Sequence, residues 1–229
     1  LVVENQRSSS SCAGHSEALA FAHANFLSTG EVLRFSRRFS YLTSQSEGGY
    51  LGADQGTSIN STLEAATKYG CCLEEQCVFQ EAYSTQIPKT AYEAAAKHKH
   101  FGPVNYDCRD WDVMLDWIAD KRPVIIGTPW YSGQGQVRLV ETKNSSSGSF
   151  LGWHARCLTG WDHYEKDLCP VVQNSHGENW GNHGRAIVTR DQWEFWRRNA
   201  NFVALGFSRI DEVEPKRRSW KESKPGDTC

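Results

Sequence analysis

The sequence has little of several features that would narrow its class at once. The formal net charge of its 229 residues is only −2, so charge does not favour nucleic acid or an anionic membrane surface as a partner. No apolar run is long enough to span a bilayer, and no signal peptide is visible. Apolar residues make up 39% and charged residues 23%, which is typical of a globular protein with a substantial core.

Methionine is scarce as well. The chain begins at Leu1, and its one methionine is Met114. Translation starts with methionine, so we expect a processed product or a trimmed piece of a longer chain. No internal repeat is apparent.

Eight cysteines are too few for a small disulfide scaffold, but they need an account. If Cys12 works as a thiolate, seven remain, and an odd number cannot all pair within the chain. We expect disulfides chiefly among Cys71, Cys72, Cys77 and Cys108. One alternative is a zinc site that joins these four to His98 and His100, although the spacing fits no standard finger. Another is that several are buried free thiols. Disulfides and processing together favour a location outside the cytosol.

Apolar periodicity divides the chain into a helical first half and a strand-rich second half. Helical spacing predicts helices over residues 13–27, 59–69, 90–99 and 111–120. Apolar runs predict strands over residues 123–127, 153–161, 168–173, 184–189 and 202–210. This order of elements predicts an α+β protein with two lobes.

The same pattern predicts where the lobes begin and end. We expect a helical lobe over residues 1–107, a β-sheet lobe over residues 108–210 and a tail over residues 211–229. The tail is charged and poor in apolar residues, so we expect it to be disordered or bound to a partner.

Candidate chemistry begins at Cys12, where a run of serines turns into the first predicted helix. A helix N-terminus carries partial positive charge, which favours the thiolate that a cysteine nucleophile needs. A base is also needed, and His154 opens an apolar strand. Asn174 ends the next strand, and a polar turn between the two strands predicts a hairpin. The hairpin would bring Asn174 close enough to orient the imidazole of His154 through its side-chain carbonyl.

Several segments now resemble a known family. They are Gln6 with Cys12 six positions later, Gly152-Trp153-His154-Ala155, and Asn174-Ser175-His176-Gly177 followed by Asn179-Trp180-Gly181. In content and order these segments resemble the papain-like cysteine peptidases. Residues 54–70 also resemble the segment around a helix start in bacterial-type members. The resemblance extends over about residues 1–190 and is specific in the order of its motifs but loose between them.

The resemblance implies a two-lobed papain-like fold with the active-site cleft between the lobes. It implies that Cys12 is the nucleophile, His154 its base, Asn174 the residue that orients His154, and Gln6 an oxyanion-hole donor. The reaction would be peptide-bond hydrolysis through a thioester, without metal or cofactor. The substrate would contact Gly56, Thr57, Trp153 and Trp180, with Trp180 on the leaving-group side.

The chain also departs from the family pattern. Ala13 follows the nucleophile where an aromatic residue is usual, and His15 stands where a buried phenylalanine is usual. His176 replaces the tryptophan that covers the histidine–asparagine hydrogen bond, so we expect that pair to be more solvated here. Thr57 replaces a glycine. Only five residues precede Gln6, so we expect a partner chain or a propeptide to complete the N-terminal strand.

The sequence is also compatible with two alternative functions. One is a structural or binding component of a larger assembly that keeps the fold with weak or lost activity. The departures around the site favour this alternative. The other is a thiol acyltransferase of the transglutaminase-like type. Such enzymes usually use an aspartate as the third residue, so Asn174 and Gln6 argue against it.

Overall fold

The computed structural model describes residues 1–99 and 101–209. The predicted tail therefore lies outside the described residues, as does His100. Within the described part of the chain, no helix is both long and apolar enough to cross a membrane.

In the described part of the chain, six α-helices pack against the two faces of a mixed sheet. They are α1 (Cys12–Thr29), α2 (Arg37–Gly48), α3 (Ile59–Tyr69), α4 (Lys89–Ala95), α5 (Trp111–Ala119) and α6 (Arg190–Arg197). The first helix stops where Gly30 takes a left-handed conformation and donates its N–H to the carbonyl of Phe26.

Seven strands form one sheet in the order β1-β7-β2-β4-β5-β6-β3 among the described residues. They are β1 (Phe101–Asp107), β2 (Val124–Tyr131), β3 (Val140–Glu141), β4 (Phe150–Tyr164), β5 (Asp167–Gln173), β6 (Arg185–Val188) and β7 (Val203–Arg209). All neighbours are antiparallel except β3 and β6. Strands β4 and β5 form the predicted hairpin.

Every predicted helix and strand has a counterpart in the fold, but two described helices (α2 and α6) and two described strands (β1 and the two-residue β3) were not predicted. In α2 the polar residues Ser40, Thr43, Ser44 and Gln45 are buried beside the apolar ones, which hides the amphipathic pattern. Helix α6 is short, and β1 pairs with β7 at the edge of the sheet. The predicted third helix also ends early, because the chain after Ala95 continues as a short 3-10 helix.

Two hydrophobic clusters confirm an α+β fold with two lobes. One lies between α5, α6 and the sheet, and the other joins α1, α2 and α3 to the opposite side of the sheet through Ile125, Cys157 and Phe207. Strand β1 belongs to the sheet by pairing although it precedes residue 108. The division at residue 107 stays a prediction.

The expected disulfides are absent from the described residues. All seven described cysteines are free thiols, and six of them are buried. Cys71, Cys72 and Cys77 pack within the helical cluster, whereas Cys108 packs within the cluster on the other side of the sheet. The prediction of pairing among these four is therefore wrong, and the alternative of buried thiols that pack as small apolar groups holds. This removes one argument for a location outside the cytosol.

The described residues do not support the zinc alternative either. Cys108 is separated from the other three cysteines by the sheet. Within residues 1–99 and 101–209, no group of three or more histidine, cysteine, aspartate or glutamate side chains is arranged to hold a metal ion.

The position of α1 depends on a close approach to α2 at Gly14. A Cβ atom on Gly14 would lie 2.7 Å from the backbone nitrogen of Tyr41 and 2.8 Å from the carbonyl oxygen of Arg37. Both neighbours are backbone atoms of α2, so α1 would have to move. Because α1 begins at Cys12, the contact at Gly14 also sets the position of Cys12.

We therefore expect Gly14→Ala to lower the free energy of unfolding. Overpacking of this kind costs about 1–3 kcal/mol, which exceeds the gain of about 1 kcal/mol that alanine has over glycine in a helix. Urea unfolding followed by circular dichroism measures the change. Gly135→Ala is the control, since no heavy atom lies within 4 Å of the added Cβ there. Equal stabilities of the two variants would contradict the steric argument.

Candidate active site

The structure places Cys12 at the first residue of α1, as predicted. Helix α1 packs against β4, and the backbone N–H of Ala155 on β4 hydrogen-bonds the sulfur of Cys12. The backbone N–H groups of Ala13 and Cys12 also donate hydrogen bonds to this sulfur. The nucleophile is half-buried, so a reagent can reach it, and it lies next to the strand segment that carries His154.

His154 and Asn174 meet at the end of the β4–β5 hairpin. The ring nitrogen Nε2 of His154 lies 2.7 Å from Oδ1 of Asn174. The same oxygen accepts a hydrogen bond of 2.8 Å from the backbone N–H of Ser175, which fixes the amide. Because Asn174 occupies Nε2, Nδ1 is the ring nitrogen that remains for another partner.

Aromatic rings cover this pair on two sides. The ring of His176 stacks on His154 with centroids 4.9 Å apart, and the ring of Trp130 lies 4.7 Å from His154. His154 is 6% exposed and Asn174 is 3% exposed. The expectation of a more solvated pair is therefore wrong, since Trp130 and His176 together shield it.

Burial opposes either charge of a thiolate–imidazolium pair when that charge is alone. It raises the pKa of the Cys12 thiol, against the hydrogen bonds of three backbone N–H groups. It lowers the pKa of His154 well below its ordinary value, and positive charge at His176 and Arg156 lowers it further. A thiolate and an imidazolium that form together attract each other, and this attraction offsets the burial of both.

Gln6 is held in place by three hydrogen bonds to Ser175 and Ser9. Its backbone N–H donates to the carbonyl of Ser175 at 2.8 Å, and its Oε1 accepts from the hydroxyl of Ser175 at 2.5 Å. Its Nε2 donates one hydrogen to the carbonyl of Ser9 at 2.8 Å. The second hydrogen of Nε2 is left for another acceptor. The N-terminal segment runs along residues 175–177, where the N–H of Gly177 also donates to Glu4.

The loop that contains Gly56 and Thr57 is tied to the loop before Cys12. The carboxylate of Asp54 accepts hydrogen bonds from the backbone N–H of Ser10 at 3.0 Å and from the hydroxyl of Tyr41 at 2.6 Å. Gly56 has a φ of 83° and donates its N–H to the same tyrosine hydroxyl. The hydroxyl of Thr57 lies 2.7 Å from that of Ser44, so it faces inward, away from solvent.

The two tryptophans predicted to contact substrate have different surroundings. Trp153 is 45% exposed and neighbours the exposed ring of Phe150, with centroids 6.3 Å apart. Trp180 is 4% exposed, and its indole N–H donates to the carbonyl of Gln134. Trp180 is therefore a buried ring that packs against Trp130, and its contact with a substrate stays a prediction.

His15 is a buried packing residue, and Trp130 is a neighbour of His154 that the sequence analysis did not name. His15 is buried, with its Nδ1 3.0 Å from the carbonyl of Ser11 and its ring against Phe79. Burial lowers its pKa to about 3, so it is neutral at physiological pH. Trp130 was missed because the predicted strand stopped at Gly127. The register that places Thr128 opposite His154 would have indicated it, but register is a property of the folded sheet.

The comparisons with known proteins agree with this geometry. A family model for papain family cysteine proteases matches residues 1–201. An uncharacterized peptidase C1-like protein of Acanthamoeba polyphaga mimivirus is 27% identical over 187 residues, which cover 76% of this chain. The chain spans about 60% of the length of that curated relative.

Solved structures show the same fold at low sequence identity. Xylellain, a cysteine protease from Xylella fastidiosa, has a TM-score of 0.76 at 20% identity over 92% of this chain and 83% of its own. A cysteine protease of Carica candamarcensis has a TM-score of 0.68 at 19% identity, with 91% and 93% covered. Digestive procathepsin L 3 of Tenebrio molitor, a proform, has a TM-score of 0.70 at 16% identity, with 91% and 66% covered.

A helix-borne cysteine packed against a strand whose histidine meets an asparagine at the end of the neighbouring strand is the arrangement expected of a papain-like fold with two lobes. The chain belongs to the papain family of cysteine proteases.

Proposed function

We propose that this chain hydrolyses peptide bonds with Cys12 as nucleophile and His154 as general base and acid. The observation that carries the proposal is the 2.7 Å hydrogen bond from His154 to Asn174, on the strand whose next residue, Ala155, hydrogen-bonds Cys12. That arrangement leaves Nδ1 of His154 for proton exchange with Cys12 in the proposed reaction. Membership of the papain family supports the same chemistry.

In the first half of the proposed reaction, the thiol proton of Cys12 passes to His154, and the thiolate then attacks the peptide carbonyl and forms a C–S bond. The oxyanion accepts hydrogen bonds from the backbone N–H of Cys12 and from the second Nε2 hydrogen of Gln6. Collapse of the tetrahedral intermediate breaks the C–N bond, and His154 gives its proton to the leaving amine. In the second half, His154 takes a proton from water, which attacks the thioester, and the carboxylate product leaves with the thiolate restored.

We further propose that Gly56 and Thr57 present backbone to the substrate and that Trp153 contacts its leaving-group side. The half-buried backbone of Gly56 and Thr57, on a loop tied to residue 10, supports the first role. The exposed ring of Trp153, directly before His154, supports the second, because His154 protonates the leaving amine. The ligand is a peptide or protein substrate. A propeptide or partner chain beside the N-terminal segment stays a proposal.

The alternative of a papain fold with weak or lost activity has one observation in its favour. The positive charge of Arg156 lowers the pKa of His154, which disfavours the imidazolium. A measurement of Cys12 reactivity distinguishes this alternative from an active peptidase.

That measurement is the rate of Cys12 alkylation by a small haloacetamide against pH, read by peptide mass spectrometry. We expect fast labelling of Cys12 well below pH 8.5, the approximate pKa of a free thiol, and loss of this fast phase in His154→Ala. His163→Ala is the control, since His163 lies at the far end of the same strand. Labelling that rises only near pH 8.5 and is unchanged in His154→Ala would contradict the thiolate–imidazolium pair and support a binding role.

A further inference from the structure

An ion pair with no exposed side-chain area lies two residues along the strand from His154. The guanidinium of Arg156 donates to Oε2 of Glu141 at 2.5 Å and to the hydroxyl of Thr128 at 3.1 Å. Both charged side chains have 0% exposure. Residues two apart on a strand face the same side of the sheet, so Arg156 lies on the face that carries His154.

The guanidinium of Arg156 is sandwiched between two indole rings. Its central carbon lies 5.1 Å from the ring centroid of Trp130 and 4.9 Å from that of Trp196. Trp130 in turn contacts His154 at 4.7 Å and His176 at 5.3 Å. One tryptophan therefore separates a buried cation from the imidazole that has to become a cation during the reaction.

The other member of the pair is also connected to the site. Oε1 of Glu141 accepts a hydrogen bond of 2.5 Å from Nε2 of Gln134. The carbonyl of Gln134 accepts the indole N–H of Trp180 at 2.9 Å, and the Trp180 ring lies 6.4 Å from that of Trp130. Arg156 thus contacts the Trp130 ring directly, and Glu141 is connected to the same ring through Gln134 and Trp180.

We propose that Arg156 and Glu141 are positioning residues for His154: the ion pair holds Trp130 against the imidazole, and Glu141 limits the effect of the guanidinium charge on it. This inference rests on the proposed function. The contacts among Arg156, Glu141 and Trp130 are features of the folded protein, so they do not depend on whether the chain is active. A buried ion pair is otherwise costly, since apolar residues of similar size often fill such a site with equal or greater stability.

The electrostatic consequence has a definite sign. The charged or titratable groups that lower the pKa of His154 are His176 after β5, Arg156 from β4 and His15 from α1, and the thiol of Cys12 at the start of α1 lies against the same strand. The positive charge of Arg156 lowers the pKa of His154 and of His176. Loss of Glu141 alone leaves that charge uncompensated, so the pKa of His154 falls further. Loss of both charges removes the effect, so the pKa of His154 rises.

The test measures the pKa of His154 by NMR of histidine-labelled protein, in a Cys12→Ala background so that no thiol titrates with it. We expect Glu141→Gln to lower the pKa by roughly one unit, as one nearby charge does, and Glu141→Leu with Arg156→Met to raise it by a similar amount. The double variant buries no unpaired charge, so it keeps the test decisive if Glu141→Gln fails to fold.

Activity of the variants with Cys12 intact provides the second readout. Arg156→Lys keeps the charge but loses the planar group between the two indoles, so we expect kcat to fall about tenfold with the pKa of His154 unchanged. The matched control is Arg122→Lys, because Arg122 also pairs with a carboxylate and lies 5.0 Å from a tryptophan ring. Arg122 lies six residues before Thr128, the residue opposite His154. Six residues of extended chain span roughly 20 Å, so Arg122 is far from the site.

Opposite shifts of the His154 pKa in the two Glu141 variants, with no shift in Arg122→Lys, support the inference. An unchanged His154 pKa in the double variant, together with unchanged kcat in Arg156→Lys, overturns it. A wild-type protein that cleaves no peptide overturns the proposed function instead, and the NMR titration still decides the electrostatic part.

Discussion

Replacing Cys12 with alanine reduces peptide hydrolysis by at least about a thousandfold, because no other group can form the thioester. Cys12 is half-buried at the start of α1, whereas the other six described cysteines are buried in the cores. The measurement is the release of new N-termini from an unfolded protein substrate, followed by mass spectrometry. Full activity in Cys12→Ala would mean that another residue or a contaminant performs the cleavage.

A matched control removes a thiol elsewhere in the sheet lobe. Cys169→Ala deletes a cysteine on β5 that is 2% exposed and belongs to the hydrophobic cluster near α5. We expect its activity to stay within about twofold of the wild type if the variant remains folded. A fall in this variant comparable to that in Cys12→Ala would show that lost packing, and not lost nucleophile, explains both results.

The same assay separates hydrolysis from acyl transfer. Both reactions form the thioester on Cys12, and they differ in whether water or an amine attacks it. With an added primary amine at millimolar concentration, a peptidase still yields mainly the carboxylate product. Predominant formation of the amide product would support the acyltransferase alternative instead.

Replacing Gln6 with glutamate lowers kcat by about 10²–10³, with little change in KM, because the oxyanion loses one side-chain N–H donor. Glutamate keeps the size of the side chain and the acceptor that Ser175 contacts. It adds a negative charge near the position where the oxyanion develops, which also opposes the reaction. Steady-state kinetics on one fluorogenic peptide measures both constants.

The control for Gln6 removes the Ser175 hydroxyl that holds its side chain and keeps the Nε2 donor of Gln6. Ser175→Ala deletes the hydroxyl that contacts Oε1 of Gln6, while the backbone contact between the two residues remains. We expect a loss of kcat of tenfold or less, since the amide is less firmly oriented but still present. A kcat for Gln6→Glu within a few-fold of the wild type would show that Gln6 is not an oxyanion donor.

Local sequence signals were sufficient for much of the fold. The start of α1 at Cys12 and its end at Gly30 follow from a polar run, helical periodicity and a terminal glycine. The hairpin that brings His154 and Asn174 together follows from two apolar runs and a polar turn. Helix α2 escaped prediction because buried polar side chains such as Thr43 and Gln45 interrupt its apolar pattern.

The candidate site shows the same division. The order of Gln6, Cys12, His154 and Asn174 is a linear pattern, so it is readable without a structure. The shielding of His154 was not readable, because it depends on Trp130 from β2 and His176 from the segment after β5. The exposure of Trp153 and the burial of Trp180 likewise depend on which neighbours each ring meets.

By itself, the sequence determined the class of fold, the family and the positions of the groups proposed for catalysis. These depend on periodicity, chain order and residue type, all of which can be read along the linear sequence. Only the tertiary structure decided that the described cysteines are free, that the histidine–asparagine pair is buried, and that Arg156 meets Glu141 beneath it. Those contacts join residues far apart in the chain, and strand register and burial bring them together only when the whole sheet has formed.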